Sequence, residues 1–547
     1  MKKSTTQKAY KALYIALICV WVMLVAAVLV LLAYTLLRPV VKSTPKAAAS
    51  AVPVLQAAPT PAPLPAAALT QREDFMPDVS AYYRLWDLPL QDAQGNALPG
   101  DAFRGAPLAL LYWASWCPDC GAMMDTVEAM AEAAEGMGAR FELAVRTGVR
   151  DETAQTAADA LAKAGIDRTT WLDADAALYS AMGLKQVPTL LFFSEDGRLM
   201  TAMTGNFTPE RVKAAITYAQ SGGAAETWSF IDRALVDARG GIPASFALDA
   251  QGQATPQQVW LSESTGLAMQ HALTIGDQAL FDRLYDFLRP DVLRGRVPWR
   301  WEATTPSDTN ALVDDLRLLK ALIEAQTAWG GYQEDIDTLA AVLKKECAPN
   351  QQLVDIQTKS GSANTLTLCY VDVNTLTALS QQDAAWADIA DRAMAILVDG
   401  RISEAFPLYA ARYSYKAQAY EPAEFLQMNE AMVTIYHLAA AGMLPEDTQA
   451  FLREWLAREP IYAAYDGYGR VVTGYAYEST ATYGLLVMTG CALDDQEMTR
   501  LALARMEQTR VIDGASPANG AYAYPGQENA TFDTLIALLA WDAVSAR

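Results

Sequence analysis

Two cysteines stand three residues apart in Trp116-Cys117-Pro118-Asp119-Cys120. A pair so spaced suits thiol–disulfide exchange, in which one thiolate attacks a disulfide and the second resolves the mixed disulfide. The apolar run Pro107–Trp113 just before it predicts a buried strand, and a helical pattern begins just after it. At such a junction the unpaired N–H groups and partial positive charge of the helix start favour a thiolate at Cys117. Cys120 is then the resolving thiol. Half of a zinc site is the other use of such a pair, but no second CxxC follows. Downstream, Gln186-Val187-Pro188-Thr189 leads into Leu190-Leu191-Phe192-Phe193, a second buried strand that Pro188 starts.

In the second half the candidate chemistry lies in carboxylates and aromatic rings. Glu263 sits in Leu261-Ser262-Glu263-Ser264-Thr265-Gly266, at a helix start. Asp315 tops the stripe 315, 319, 322, 326, which is otherwise mostly apolar and therefore faces inward, so its carboxylate needs a polar cavity or a partner. Glu478 follows Tyr477 ahead of another apolar helix, and Asp466 lies in Tyr465-Asp466-Gly467-Tyr468. Trp301 and Trp329 are among the rings near loops or helix ends, where a flat face can stack on a sugar. His437, in Tyr436-His437-Leu438, reads as a packed helix residue.

The stretch around the CxxC resembles the thioredoxin superfamily, in particular its membrane-tethered extracytoplasmic branch with a WASWCPxC pattern. That resemblance implies an α/β domain, a cis Pro188 packed against the cysteines, protein thiols and disulfides as clients, and a membrane electron donor as a further partner. Leu111 stands six residues before Cys117, where a buried acid is often found. A proton acceptor for Cys120 is therefore sought in Asp119, Glu128 or water. The helical half resembles glycoside hydrolase family 8, an (α/α)6 barrel acting on β-linked polysaccharides with inversion. Ser262, Glu263, Gly266 and Met269 match the motif that supplies the general acid. Ala311–Leu316 aligns with the family's Ala-Ser-Asp-Ala-Asp-Leu, which places Asp315 on the acid that holds the sugar and Val313 where the first aspartate stands. Tyr477-Glu478-Ser479-Thr480-Ala481 falls on the stretch carrying the base, with Glu for Asp and Ala for Arg. The resemblance thus makes Glu263 the acid and Glu478 the base, with Asp466 in reserve and Asp315, Trp301, Trp329 and Tyr477 against the substrate.

The elements that must position these residues set the organisation of the chain. Its 547 residues, 52% apolar and 19% charged, suffice for two or three domains. Residues 12–37 are uncharged and long enough to cross a bilayer, so lipid is an expected partner. Residues 47–70, with ten Ala and five Pro, offer little to a core and read as a tether. The expected division is an anchor at 1–42, a tether at 43–78, a thioredoxin-like domain at 79–222 and an all-α barrel at 224–547, with the bulk outside the membrane. Beyond residue 46 the balance is 35 basic against 63 acidic residues, or −28, which repels nucleic acid. With only two histidines, the sequence points to no metal or cofactor. Cys347 and Cys369, 22 residues apart, are the pair that an oxidising location would allow to bridge.

Overall fold

The computed structural model describes residues 90–546, apart from short gaps at 99–101, 104, 182–183, 185, 196–198, 206, 222, 359–360 and 512–515. The expected anchor, its span at 12–37 and the tether at 43–78 lie outside the described residues. Among the described residues no helix is long and apolar enough to cross a membrane.

Residues 90–221 form a six-stranded sheet with helices. In chain order these are β1 (Leu90–Gln91), β2 (Leu108–Trp113), α1 (Pro118–Met123), α2 (Val127–Glu135), β3 (Arg140–Arg146), α3 (Ala154–Ala164), β4 (Thr170–Asp173), α4 (Ala177–Ala181), β5 (Thr189–Phe193), β6 (Leu199–Thr204) and α5 (Pro209–Ser221). The strand order is β1-β4-β3-β2-β5-β6. Strand β2 runs parallel to β3 (Leu108 opposite Arg140) and antiparallel to β5 (Leu108 opposite Phe193). Its six residues are all buried because both faces are covered, which is why it reads as a continuous apolar run. Ala109, Leu111 and Trp113 face the core of α1, α2, α3 and α5, while Leu108, Leu110 and Tyr112 face Leu90, Phe103 and Leu178.

From residue 224 helices dominate: α6 (Ala224–Ala234), α7 (Ser262–Thr274), α8 (Gln278–Leu293), α9 (Leu312–Ala328), α10 (Gln333–Glu346), α11 (Val373–Gln382), α12 (Ala387–Asp399), α13 (Met428–Ala440), α14 (Glu446–Arg458), α15 (Thr480–Ala492), α16 (Gln496–Glu507) and α17 (Thr531–Ser545). Helix α7 packs on α9, α9 on α11, α11 on α13, α13 on α15, α15 on α17, and α17 back on α7. This closes a ring of six inner helices. The other six return outside it, α8 against α7, α10 against α9, α12 against α11, α16 against α15, α6 against α17, and α14 against α16. Because an outer helix separates each inner one from the next, the inner helices run the same way and their first turns gather at one rim. Inner helices are wrapped on every side, so α15 is buried from Thr480 to Gly490 and shows no polar face.

The two halves meet at a buried seam. Tyr218 of α5 packs edge-on against Trp541 of α17 at 5.3 Å, and the Arg510 guanidinium lies 4.1 Å over the Tyr218 ring. Arg510 also donates to Gly223 O and Glu226 Oε2, both at 3.3 Å. Gly223 has φ +93, and a Cβ there would lie 2.4 Å from Arg510 Nη1, so only glycine fits.

Candidate functional site

The redox pair sits where β2 gives way to α1. Cys117 is the N-cap of α1 and Pro118 takes the first helical position, a favoured arrangement because the missing N–H has no partner there anyway. The Cys117 sulfur accepts from Cys120 N at 3.3 Å and donates to Val187 O at 3.3 Å. The Val187–Pro188 peptide is cis, and Pro188 leads directly into β5, so all three predicted residues meet at one place. Cys117 keeps 6% of its surface and Cys120 none. Burial, and next the hydrogen bond to Cys117, push the Cys120 thiol up. That asymmetry leaves Cys117 the more accessible sulfur and disfavours the Cys120 thiolate.

Glu128 is not available to Cys120, since its carboxylate is bound by Arg168 at 3.1 Å, and Asp119 is exposed. The acid that touches this loop is Glu152, which the sequence reading missed. It is buried and accepts from Ser115 N at 2.7 Å, Ser115 Oγ at 2.8 Å and Thr156 Oγ1 at 2.7 Å. It thereby ties the turn before Cys117 to the start of α3. The one available signal is its place just before Thr153, which caps α3 with a reciprocal Thr156 bond. Arg150 lies over Trp116 at 4.5 Å.

The second constellation lies on the barrel rim. Glu263, in the first turn of α7, is 7% exposed; its Oε1 is 3.5 Å from Arg317 Nη1 and has no hydrogen-bond partner. Burial pushes its carboxyl up to about 8, with Arg317 opposing and Asp314 adding to the shift. Beside it, Asp314 accepts from Ser262 Oγ at 2.9 Å and from Arg317 Nη1 at 3.1 Å, and burial raises it too. The carboxylate that joins Glu263 is therefore Asp314, not the expected Asp315. Asp315 turns away, taking a 2.6 Å bond from Asn310, whose amide also reaches Cys347 at 3.2 Å. Helix α9 is buried on both flanks here, so the single inward stripe read from the sequence does not separate positions 314 and 315.

Glu478 stands on the rim just before α15, accepting from the Tyr483 hydroxyl, with Arg505 of the outer helix α16 at 3.6 Å. Its neighbour Ser479 has its hydroxyl oxygen 2.8 Å from Asp533 Oδ1 of α17 and 3.1 Å from Asn429 Oδ1 of α13, sharing one donor between them. Asp533, a buried carboxylate raised by burial, was also missed, since one acid among apolar residues at a helix start looks like an ordinary helix-end charge. Glu430 in the first turn of α13 is pushed up by burial to about 7. Tyr477 is half-buried on the same rim. Three other expectations place differently. Trp301 is buried against Phe287 at 4.8 Å, and Trp329 caps the far end of α9, at the opposite mouth of the ring. Asp466 is spent on its own turn, bound to Arg470 at 2.7 Å. Cys347 and Cys369 are buried thiols and form no bridge. His437 lines a cavity of about 40 Å³ inside the ring, with Arg317, Lys320 and Asp372.

Fold and sites together define a thioredoxin-like domain joined to a helical domain with a glycosidase-like fold. Residues 103–220 match a family model described as a thioredoxin-like domain. The thiol-disulfide oxidoreductase ResA of Halalkalibacterium halodurans is 23% identical over 124 residues, 23% of this chain and 68% of that protein. YdaJ of Bacillus subtilis strain 168, whose name calls it a lipoprotein, is 24% identical over 294 residues, 52% of this chain and 79% of its own. The structure of an α-amylase from Clostridium perfringens aligns with 27% identity and a TM-score of 0.55, covering 59% of this chain and 98% of that one. Both of the larger shares exceed everything before residue 224, so both matches include barrel residues.

Proposed function

We propose that this chain is a membrane-anchored, extracytoplasmic thiol–disulfide oxidoreductase fused to a polysaccharide hydrolase. The observation that carries the redox half is the Cys117 sulfur at a helix start, 3.3 Å from both Cys120 N and Val187 O. The Cys117 thiolate attacks a client disulfide and expels one client thiolate. The Cys120 thiolate then attacks the Cys117 sulfur, releasing the second client thiol and leaving Cys117–Cys120 oxidised. The reverse sequence oxidises a client dithiol. A membrane-bound electron donor would re-reduce the pair.

In the barrel, Glu263 is the proposed general acid. A carboxyl raised to about 8 still holds its proton at neutral pH and can give it to a leaving sugar oxygen. Asp314 and Arg317 fix its surroundings, and Glu478, on the rim with solvent access, is the proposed base for an attacking water. Inversion needs the two carboxyls roughly 6.5–9.5 Å apart. The family-8 resemblance favours β-linked glucans, while the Clostridium perfringens relative is described as an α-amylase, so both linkages belong in the assay. Release of reducing ends from β-glucan or starch, lost in Glu263→Gln, tests it. No release from either polymer, with binding retained, would favour a second reading, a glycan-binding barrel. Ala481, where the family carries arginine, and the capture of Glu478 by Tyr483 and Arg505 favour that alternative.

A further inference from the structure

The rim carries a second feature that neither redox nor acid–base chemistry uses. Strand β7 (Leu426–Gln427) pairs antiparallel with β8 (Ala464–Tyr465). These strands lead toward α13 and α15, so they stand at the same mouth as Glu263. Beyond β8 the chain makes a tight hairpin closed by a Tyr465–Val471 bridge. Asp466 builds its turn, accepting from Tyr468 N at 2.9 Å, Arg470 N at 3.1 Å and Arg470 Nε at 2.8 Å. Gly467 N ties the turn to Ala423 O at 2.6 Å, and Gly469, at φ +76, sits against Phe406. A turn held at this many points does not need Tyr468 for its folding, yet it holds that ring 85% exposed at its tip, with the Arg470 guanidinium 5.1 Å from the ring centroid. Phe425, 38% exposed, stands 4.8 Å from Tyr475, and Tyr475 lies 6.2 Å from Tyr477 at an interplanar angle of 29°.

We infer that Tyr468, Phe425 and Tyr475 form an outer ledge that grips a neutral polysaccharide chain beyond the barrel mouth. The ledge rests on the glycan reading above and extends it. Its rings are apolar on the face and polar at the edge, which suits the CH faces and hydroxyls of a pyranose. Its ion pair, Asp466 with Arg470, is self-neutralised, and exposed Glu424 beside Phe425 would repel an anionic ligand, so a neutral polymer fits best. It is continuous with the rim, since the Tyr475–Tyr477 strip runs straight into Glu478 and Ser479. An exposed apolar patch beside a functional rim marks a binding surface, and the occupant nearest at hand is a polymer reaching that rim.

The test is affinity electrophoresis of the full chain in detergent micelles, through gels containing hydroxyethylcellulose or soluble starch. Wild type is expected to be retarded by at least one polymer. Tyr468→Ala weakens that retardation roughly three- to tenfold, and Tyr468→Phe, which keeps the ring, restores it. Phe425→Ala acts in the same direction. The thermal melt of Tyr468→Ala should match wild type, because the ring removed is 85% exposed. Wild-type retardation in Tyr468→Ala and Phe425→Ala alike would overturn the ledge and leave the barrel's proposed substrate standing. A wild type that neither polymer retards would overturn both.

Discussion

The redox site and the barrel rim are assembled over very different sequence distances. Cys117 and Cys120 are neighbours on one turn, and a single distant segment, Val187–Pro188, completes the contact. The rim draws Glu263, Asp314, Glu430, Glu478 and Asp533 from five separate helix starts, spread over 270 residues of chain. A site made by one turn is robust to changes elsewhere in its fold. One made by a ring depends on every helix that sets the ring's radius. The redox chemistry should therefore fail only when a sulfur is removed, whereas the rim should fail in graded steps.

The largest effect expected is in the redox half. Cys117→Ser should abolish turnover of a model disulfide such as insulin in the presence of dithiothreitol, and Cys120→Ser should instead trap a mixed disulfide visible on a non-reducing gel. Retained turnover in Cys117→Ser would break the contrast at its firmer end. Next, Glu263→Gln should lower the release of reducing ends by roughly 10²–10⁴-fold, the span usual for a general acid. In wild type the rate should fall as pH rises through about 8, where Glu263 loses its proton. A smaller step separates two adjacent acids. Asp314→Asn should cut the same rate roughly tenfold or more by disturbing Arg317 and Glu263, while Asp315→Asn should act on stability, by about 1–3 kcal/mol, through its bond from Asn310. Equal kinetic losses at 314 and 315 would contradict the geometry.

The smallest effect is in stability against pH. Glu263 ionises near 4.5 when unfolded but only at about 8 in the fold, so between those values the fold holds a proton that the unfolded chain has lost. Stability from this group is accordingly greatest below pH 4.5, declines as pH rises and levels off above 8. Glu263→Gln should flatten that decline, seen as a melting curve whose midpoint shifts roughly a few degrees less between pH 5 and pH 8.

The same contrast governs how much could be read in advance. The CxxC and the strand-to-helix junction were legible because each is a short run with a local physical cause, whereas the cis Pro188 came from the thioredoxin resemblance. Glu263 was legible as part of the serine-glutamate motif that opens a helix. Position 315 was preferred over 314 because a helix with one buried stripe would turn only one of them inward, yet α9 is enclosed on both sides and buries the two together. Trp329 went astray for a related reason, since a sequence tells which residues end a helix but not which mouth of a barrel that end faces. Glu152 reaches Ser115 across 37 positions, and nothing in its local pattern announces the contact.

One feature of the seam reaches further than packing. Arg510 is walled in by Tyr218, Glu226 and Trp541, and drawing the halves apart would take the Tyr218 ring from its guanidinium while leaving Glu226 in place. The cysteine pair and the helical ring are thus joined by a packed face as well as by the chain between them.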